Sequence, residues 1–268
     1  MEDFFDPKNI KIKVTECGHA TVDATWHQFV AFFPYYRLYY VVKGHSQMIL
    51  RNRTLELNEG NIYFIPAFSV VDVKNSELFE HYWMHFTLDM VTANYLEATM
   101  DSYGVKATEH TDYFFSTVLR IFNGKHSDSP AAVTAINGLM QYLFSLFLPS
   151  EINLYNASRA RFIPVFQYID VNISRKISNL DLSKTMYLNE TYFSNLFTKE
   201  FGISPKQYIF QKKMMTAATM LSTSNKSAKE IAATLGYDDD IYFNKCFHKF
   251  TGMTPGKYRK TLLNDESH

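Results

Sequence analysis

Cysteine is scarce in this sequence: two, Cys17 and Cys246, stand in 268 residues. They fall in what read below as different domains, so neither a disulfide framework nor a cysteine metal site is supported and both are expected to be reduced. Cys246 sits between Phe243 and Phe247 in a helical pattern. It reads as a small half-buried apolar residue, with a reactive thiol as the alternative. Long apolar runs are missing too. The longest, 139–148, is interrupted by Gln141 and Ser145 and is too short to cross a bilayer, so no membrane span is expected. The start, Met1-Glu2-Asp3-Phe4-Phe5-Asp6, is acidic. It lacks the basic residues and apolar run of a secretory signal, which points to a chain that stays in the cytoplasm. No catalytic Ser/His/Asp or Cys/His arrangement and no phosphate-binding glycine loop is found, so neither an enzyme nor a bound cofactor is expected.

Net charge is absent as well, 27 Lys+Arg balancing 27 Asp+Glu. The balance conceals a split. Residues 1–158 hold 11 basic against 17 acidic side chains, a net of −6, whereas residues 159–268 hold 16 against 10, a net of +6. A basic segment joined to an acidic one suits a polyanionic partner that meets only the carboxy-terminal part. What the chain has in quantity is apolar surface: 46% hydrophobic and 16% aromatic residues, enough for the cores of about two globular domains.

Between residues 35 and 87 the pattern is of short strands, at 37–42, 47–50, 54–57, 61–65, 70–73 and 81–87. Lys43-Gly44-His45, Arg51-Asn52-Arg53 and Asn58-Glu59-Gly60-Asn61 read as hairpin connections, and Pro66 closes the strand before it,. A compact antiparallel barrel or sandwich follows. The pattern then turns helical, at 91–103, 113–122 and 131–148. In the last of these Ile136, Leu139, Met140, Leu143, Phe144 and Phe147 keep a spacing of three and four,. So apolar a helix must pack on two sides, against a second subunit or within its own. Residues 151–160 read as a linker.

The remainder is helical throughout: 163–173, 180–187, 190–200, 205–221, 228–235, 240–250 and a turn at 255–258. Asn179, Asn189 and Ser227 are expected N-caps, Pro205 and Pro255 suit a first helical turn, and Gly202, Gly236 and Gly252 mark the stops. Within this stretch the chain echoes itself fifty residues on. Tyr192-Phe193, Phe197, Lys199, Gly202, Ser204-Pro205 and Tyr208 return as Tyr242-Phe243, Phe247, Lys249, Gly252, Thr254-Pro255 and Tyr258. A unit that keeps its aromatic spacing and varies the residues between is one framework presenting two surfaces.

In the first copy Phe193, Leu196 and Phe197 share the inward face, which leaves Glu190, Thr191, Ser194, Asn195, Thr198 and Lys199 outward,. In the second, Phe243, Cys246, Phe247 and Phe250 turn inward and Asp240, Ile241, Asn244, Lys245, His248 and Lys249 outward. Each is preceded by a short helix with small or branched residues, Leu182-Ser183 and Ile231-Ala232, and the pairs read as helix-turn-helix units,. Joined by the long helix 205–221, they can set both second helices in adjacent major-groove segments, about 34 Å apart. Amide, hydroxyl and lysine side chains there can read base edges, with Lys199, Lys249, Lys206 and Lys257 on phosphates. A tandem helical repeat that binds protein is the alternative. Asp239 of the run Asp238-Asp239-Asp240 reads as a helix cap, with Asp240 the one placed to approach cytosine.

The residues Leu182-Ser183, Tyr192 to Phe197, Gly202, Ser204-Pro205, Tyr208, Lys213, Ala217, Leu221, Ile231-Ala232, Gly236-Tyr237, Asp239, Tyr242-Phe243, Phe247, Gly252, Thr254-Pro255 and Tyr258-Arg259 together closely resemble the AraC/XylS family of transcriptional regulators. This chain departs from that pattern with Asn195, Lys213 and Lys245 where the family commonly has Arg, and Ile241 where it has Ser. The resemblance implies recognition helices carrying the outward positions Glu190, Thr191, Ser194, Asn195, Lys199, Asp240, Ile241, Asn244, Lys245 and Lys249, and double-stranded DNA as partner. The segments 37–44 and 60–66 resemble the family's cupin-type effector barrel. The closely spaced His pair of metal-binding cupins is absent between Gly44 and Pro66, so no metal is expected. Alternation in His81-Tyr82-Trp83-Met84-His85-Phe86 puts His81, Trp83 and His85 on one face. By resemblance to sugar-responsive relatives His81 and Trp83 contact an effector, with Arg37, Tyr39 and Asp72 as neighbours; ordinary aromatic packing with satisfied histidines is the alternative.

The expectation is therefore an α+β chain: a cupin-like effector barrel (1–88), a helical dimerisation segment (89–150), a linker (151–160) and an all-α DNA-binding domain (161–268) with helix-turn-helix units at about 180–201 and 228–251. It would act as a homodimeric regulator, an activator by family habit with RNA polymerase as a further partner, sensing a sugar-like small molecule. A regulator whose barrel only dimerises or binds a protein is the first alternative, and a cupin enzyme the second.

Overall fold

The computed structural model describes residues 10, 12–24, 33–51, 53–75, 78–89, 92–93, 95–96, 103–148 and 159–265. The chain divides into two compact units, 1–153 and 154–268. Among the described residues the first holds eight strands: β1 (Ile12–Val22), β2 (Tyr36–Lys43), β3 (His45–Leu50), β4 (Thr54–Asn58), β5 (Asn61–Ile65), β6 (Val70–Asn75), β7 (Phe79–Leu88) and β8 (Gly104–Lys106). Every pairing is antiparallel. Five strands form one sheet in the order β1-β7-β2-β5-β8, and three form another in the order β4-β3-β6. Gly44 at φ 86 and Gly60 at φ 73 supply the left-handed backbone that the turns after β2 and β4 need,.

Alternation along the strands produces two separate cores. Tyr39, Val41, Tyr63, Ile65 and Phe79 of the large sheet face Met48, Leu50, Leu57, Val70 and Val73 of the small one. The opposite face of the large sheet carries Leu38, Ile62, Phe64, Met84 and Phe86, and two helices cover it, α1 (Thr111–Phe122) and α2 (Pro130–Ser145). Ile136, Met140, Leu143 and Phe144 of α2 are all buried in this second core. The apolar circumference that suggested a dimer interface is thus occupied, to that extent, by the chain's own sheet. The helix expected at 91–103 lies largely outside the described residues. Two strands went unread: β1, with its Lys, Glu and His, and the three-residue β8.

The second unit is all helical: α3 (Ile163–Val171), α4 (Asn179–Thr185), α5 (Glu190–Phe201), α6 (Pro205–Thr223), α7 (Ala228–Thr234), α8 (Asp240–Thr251) and α9 (Pro255–Asp265). Asn189 and Ser227 cap α5 and α7 through their side chains. Asn179 does not cap α4. Ser178 does, because its hydroxyl accepts from the amide of Asp181 while the Asp181 carboxylate accepts from the Ser178 amide, a reciprocal box open only to that pair,. Gly202 and Gly252 end α5 and α8 in the left-handed conformation,. Around α5 the core is aromatic, Phe162 and Phe166 meeting Phe193, Phe197, Phe201 and Tyr208 at ring separations of 5.1 to 6.4 Å. Around α8, Phe243 and Phe247 meet Tyr237 and Tyr258.

Candidate nucleic-acid interface and effector barrel

The helix pairs α4-α5 and α7-α8 are two copies of one unit, and α6 between them is 19 residues long, about 28 Å at 1.5 Å per residue. Phe193 and Phe197 in α5, and Phe243 and Phe247 in α8, are fully buried. This anchoring turns the opposite faces to solvent. Glu190, Thr191, Asn195 and Lys199 are exposed and Ser194 is half-buried; on α8, Ile241, Lys245 and Lys249 are exposed, while Asp240 and Asn244 are half-buried. Leu196 and Cys246, expected inward, lie half-buried at the edge of the packed face. Asp239 caps α8, its carboxylate accepting from the amides of Ile241 and Tyr242.

Tyr192 and Tyr242 were read as framework because they recur in both copies. They are instead 53% and 59% exposed, beside the varied positions. The signal for this was in the spacing: each precedes the buried Phe by one residue, which on a helix turns it about 100° away from the core.

Three residues, Lys213, Gly236 and Arg259, make the pair of units one body. Lys213, buried within α6, donates through Nζ to the carbonyl of Leu235 at 2.6 Å and to that of Arg175 at 3.2 Å. One side chain thereby ties the turn of the second unit to the loop ahead of the first. Gly236, at φ 71, lies against the same loop, and a Cβ there would fall 2.2 Å from the carbonyl oxygen of Ser174. Arg259 of α9 in turn donates to the carbonyls of Leu221, Ser224 and Lys226, fixing the link between α6 and α7. Lys213, aligned with an Arg of the family pattern, thus faces inward.

In the strand unit, register brings several expected residues to one face. Arg37 pairs with His85, Tyr39 with Trp83 and Val41 with His81, all directed between the two sheets. Arg37 is 1% exposed. Its guanidinium lies over the rings of Phe33, at 5.4 Å, and Tyr35, at 4.8 Å. His85 stacks on Tyr35 at 4.1 Å, lies 4.8 Å from Trp83, and bonds through Nδ1 to Glu16 of β1 at 2.9 Å. Trp83 lies over Gly18, whose Cβ would come 2.6 Å from the indole. Burial pushes both His81 and His85 down to about 4, so both are neutral near pH 7. The Glu16 carboxyl is held below its usual value, chiefly by the bond from His85.

Asp72 does not join them. Asp72 pairs with Ile49, on the face opposite Met48 and Val73, and the bulge that follows, between Ile49 and Leu50, parts it from the face of Val70. Its carboxylate accepts from the amide of Val73, its own neighbour. Among the described residues no group of three His, Cys, Asp or Glu side chains could hold a metal ion, and no helix is long and apolar enough to cross a membrane.

Residues 14–143 match the family model of an AraC-like ligand binding domain, and residues 182–261 that of a helix-turn-helix domain. The chain belongs to the AraC family of transcriptional regulators. Over 97% of both chains it is 22% identical to the Msm operon regulatory protein of Streptococcus mutans. To the lactose operon transcription activator of Staphylococcus xylosus it is 22% identical over 95% of this chain and 94% of that one. In fold it is similar to ToxT of Vibrio cholerae bound to (E)-4-(8-methylnaphthalen-1-yl)but-3-enoic acid, with a TM-score of 0.59 and 12% identity over 93% of this chain and all of that one. As an AraC-type regulator it carries a ligand-binding domain and a DNA-binding helix-turn-helix domain. The family is one of DNA-binding regulators rather than enzymes.

Proposed function

We propose that this chain is a cytoplasmic, ligand-responsive transcription activator that reads DNA with α5 and α8 and senses a small molecule between the sheets of its strand unit. The observation that carries the DNA half is the pair of unlike outward faces on one framework, exposed Thr191 and Asn195 with half-buried Ser194 against exposed Ile241 and Lys245 with half-buried Asn244. Hydroxyl, amide and lysine side chains at these positions reach base edges, while Lys199, Lys249 and the tyrosine pair Tyr192 and Tyr242 meet phosphates. Domain limits near 1–88, 89–150 and 161–268 go with this reading. Homodimerisation would juxtapose two such asymmetric readers, and RNA polymerase would be the partner through which activation works. An effector is favoured over a barrel that only dimerises by the polar side chains turned into the barrel, and the lactose operon relative makes sugar-derived chemistry the first to test.

The test is binding of the full chain to duplexes selected from genomic DNA. Asn195→Ala and Lys245→Ala should each cost about 1–3 kcal/mol on the selected sequence and relax preference at one position. Lys199→Ala should weaken all sequences alike and lower the salt slope by about one. Absence of salt-dependent duplex binding by the intact chain sinks the proposal.

A further inference from the structure

Arg37 presents an unusual account of charge. It is buried inside the strand unit, and its Nε and Nη2 have no hydrogen-bond partner among the described residues. The guanidinium carbon lies over the rings of Phe33 and Tyr35. They attract the charge without supplying the oxygen or nitrogen acceptors that Nε–H and Nη2–H lack,. Nε–H and Nη2–H together form one side of the guanidinium fork, the side a carboxylate meets with two parallel bonds.

Across the strand pair, His85 adds a second orphan: its Nε2 is also buried without a partner among the described residues. The chemistry of this atom can be deduced. His85 is neutral and its Nδ1 lies 2.9 Å from a Glu16 carboxylate that is ionised and can only accept. The single ring proton is therefore on Nδ1, and Nε2 carries a buried lone pair,. Glu16 thus acts as a positioning residue that fixes the tautomer. The strand pair offers two adjacent donors on Arg37 and, on the residue paired directly with it, one acceptor, with the Trp83 indole 4.8 Å from the His85 ring.

Resting on the reading of this unit as an effector domain, we infer that its ligand is a hydroxylated carboxylic acid, with the carboxylate on Nε and Nη2 of Arg37 and a hydroxyl donating to Nε2 of His85. A neutral sugar offers the fork only hydroxyl oxygens, and the carboxylate whose charge reaches Arg37, that of Glu16, bonds to His85 and leaves Nε and Nη2 unmet. A plain fatty acid leaves the His85 lone pair without a donor. Sugar acids satisfy both and carry a ring or chain that Trp83 can cover.

The experiment is a thermal-shift and calorimetric comparison of the full chain with matched probes: galacturonate and galactose, gluconate and glucose, and octanoate as a carboxylate without hydroxyls. Galacturonate or gluconate should raise the melting temperature, with the neutral partners and octanoate at least tenfold weaker. Arg37→Met should bind the responding acid roughly a hundredfold more weakly, as expected when one partner of a buried charge pair is lost. His85→Phe should lose the preference for the hydroxylated acid over octanoate. The ligand-free stability of Arg37→Met provides an independent reading. It should equal or exceed that of the native chain, because a buried guanidinium with two unpaired N–H groups is removed,. A several-degree fall in ligand-free melting temperature would make Arg37 a structural cation and overturn the inference. So would a neutral sugar that stabilises native chain and Arg37→Met equally, an outcome that leaves the effector reading standing. Octanoate binding as tightly as the hydroxy acids removes the role of His85. If no probe shifts the protein and transcription from its target does not respond to any of them, the effector reading itself fails.

Discussion

Three glycines of the DNA-binding unit share one backbone conformation and differ only in what surrounds them, which allows the coupling of the two helix-turn-helix units to be measured. Gly202, Gly236 and Gly252 have φ of 72, 71 and 77. A Cβ on Gly202 or Gly252 would meet no atom within 4 Å, whereas on Gly236 it would lie 2.2 Å from the carbonyl oxygen of Ser174. Replacement by alanine in left-handed backbone costs about 1–2 kcal/mol wherever it occurs, and the loss of unfolded-state freedom is the same at each position. Both terms cancel in a comparison. At Gly236 the loop 172–178 must in addition move by more than 1 Å, an overpacking cost of about 1–3 kcal/mol. Hydrogen exchange of the amides in α5 and α8, measured on the full chain, reads the local stability directly. Gly202→Ala and Gly252→Ala should each lower protection by about five- to thirtyfold, and Gly236→Ala by about a further tenfold or more. The additional loss should extend to α5, in the other copy, because Ser174 precedes it. Equal loss at all three sites, or loss confined to α8 in Gly236→Ala, would refute the claim that this contact joins the two units.

Two other outcomes follow from the same geometry. Lys213→Met keeps the aliphatic stem and removes both bonds to the carbonyls of Leu235 and Arg175; charged hydrogen bonds of this kind contribute about 1.5–3 kcal/mol each before the recovered desolvation is deducted. A net loss of about 2–3 kcal/mol in chemical denaturation is expected, with no change in salt dependence of DNA binding, since this lysine meets no phosphate. In the strand unit, His81 and His85 are held near 4 while the unfolded chain takes up their protons near 6.5,. Between these values the unfolded state binds more protons, so stability rises with pH in that window and is lost on acidification. Going from pH 7 to 5 should cost about 2 kcal/mol per histidine. His81→Phe should flatten that profile by about one proton in a denaturation series; an unchanged slope counts against the burial argument.

Regular periodicity was legible and context was not. The buried phenylalanines of α5 and α8 keep helical spacing, Gly202, Gly236 and Gly252 stand where helices stop, and six strands carry β-branched and aromatic runs. Strand β1 was missed because it lies at a sheet edge, and an edge strand can carry Lys13, Glu16 and His19 without cost,. The bulge that parts Asp72 from the face of Val70 has no sequence signature,. Arg37 was named as a candidate from family likeness, and the rings its guanidinium lies over, Phe33 and Tyr35, are its own sequence neighbours. The burial of that charge was not legible, because it depends on the register that sets His85 across from it. The same holds for Lys213, which a sequence pattern treats as one more cation of a basic domain and which folding turns inward.

This inward lysine decides what kind of DNA site one chain can read. If α6 were a loose tether, the two units could bind half-sites at many separations. Lys213, Gly236 and Arg259 instead fix α7 and α8 to the loop before α4 and to the end of α6. Two unlike faces at one fixed offset specify one asymmetric bipartite site per chain, and any palindromic character must come from a second copy. Lengthening a selected site separates the cases. Inserting 5 base pairs between its halves turns the second half to the opposite side of the duplex, whereas inserting 10 restores the side and adds about 34 Å of distance. A tether would lose binding with the first insertion and regain it with the second. The rigid frame should lose the contribution of one unit with both, leaving only half-site affinity, and recovery at 10 base pairs would show that the frame opens.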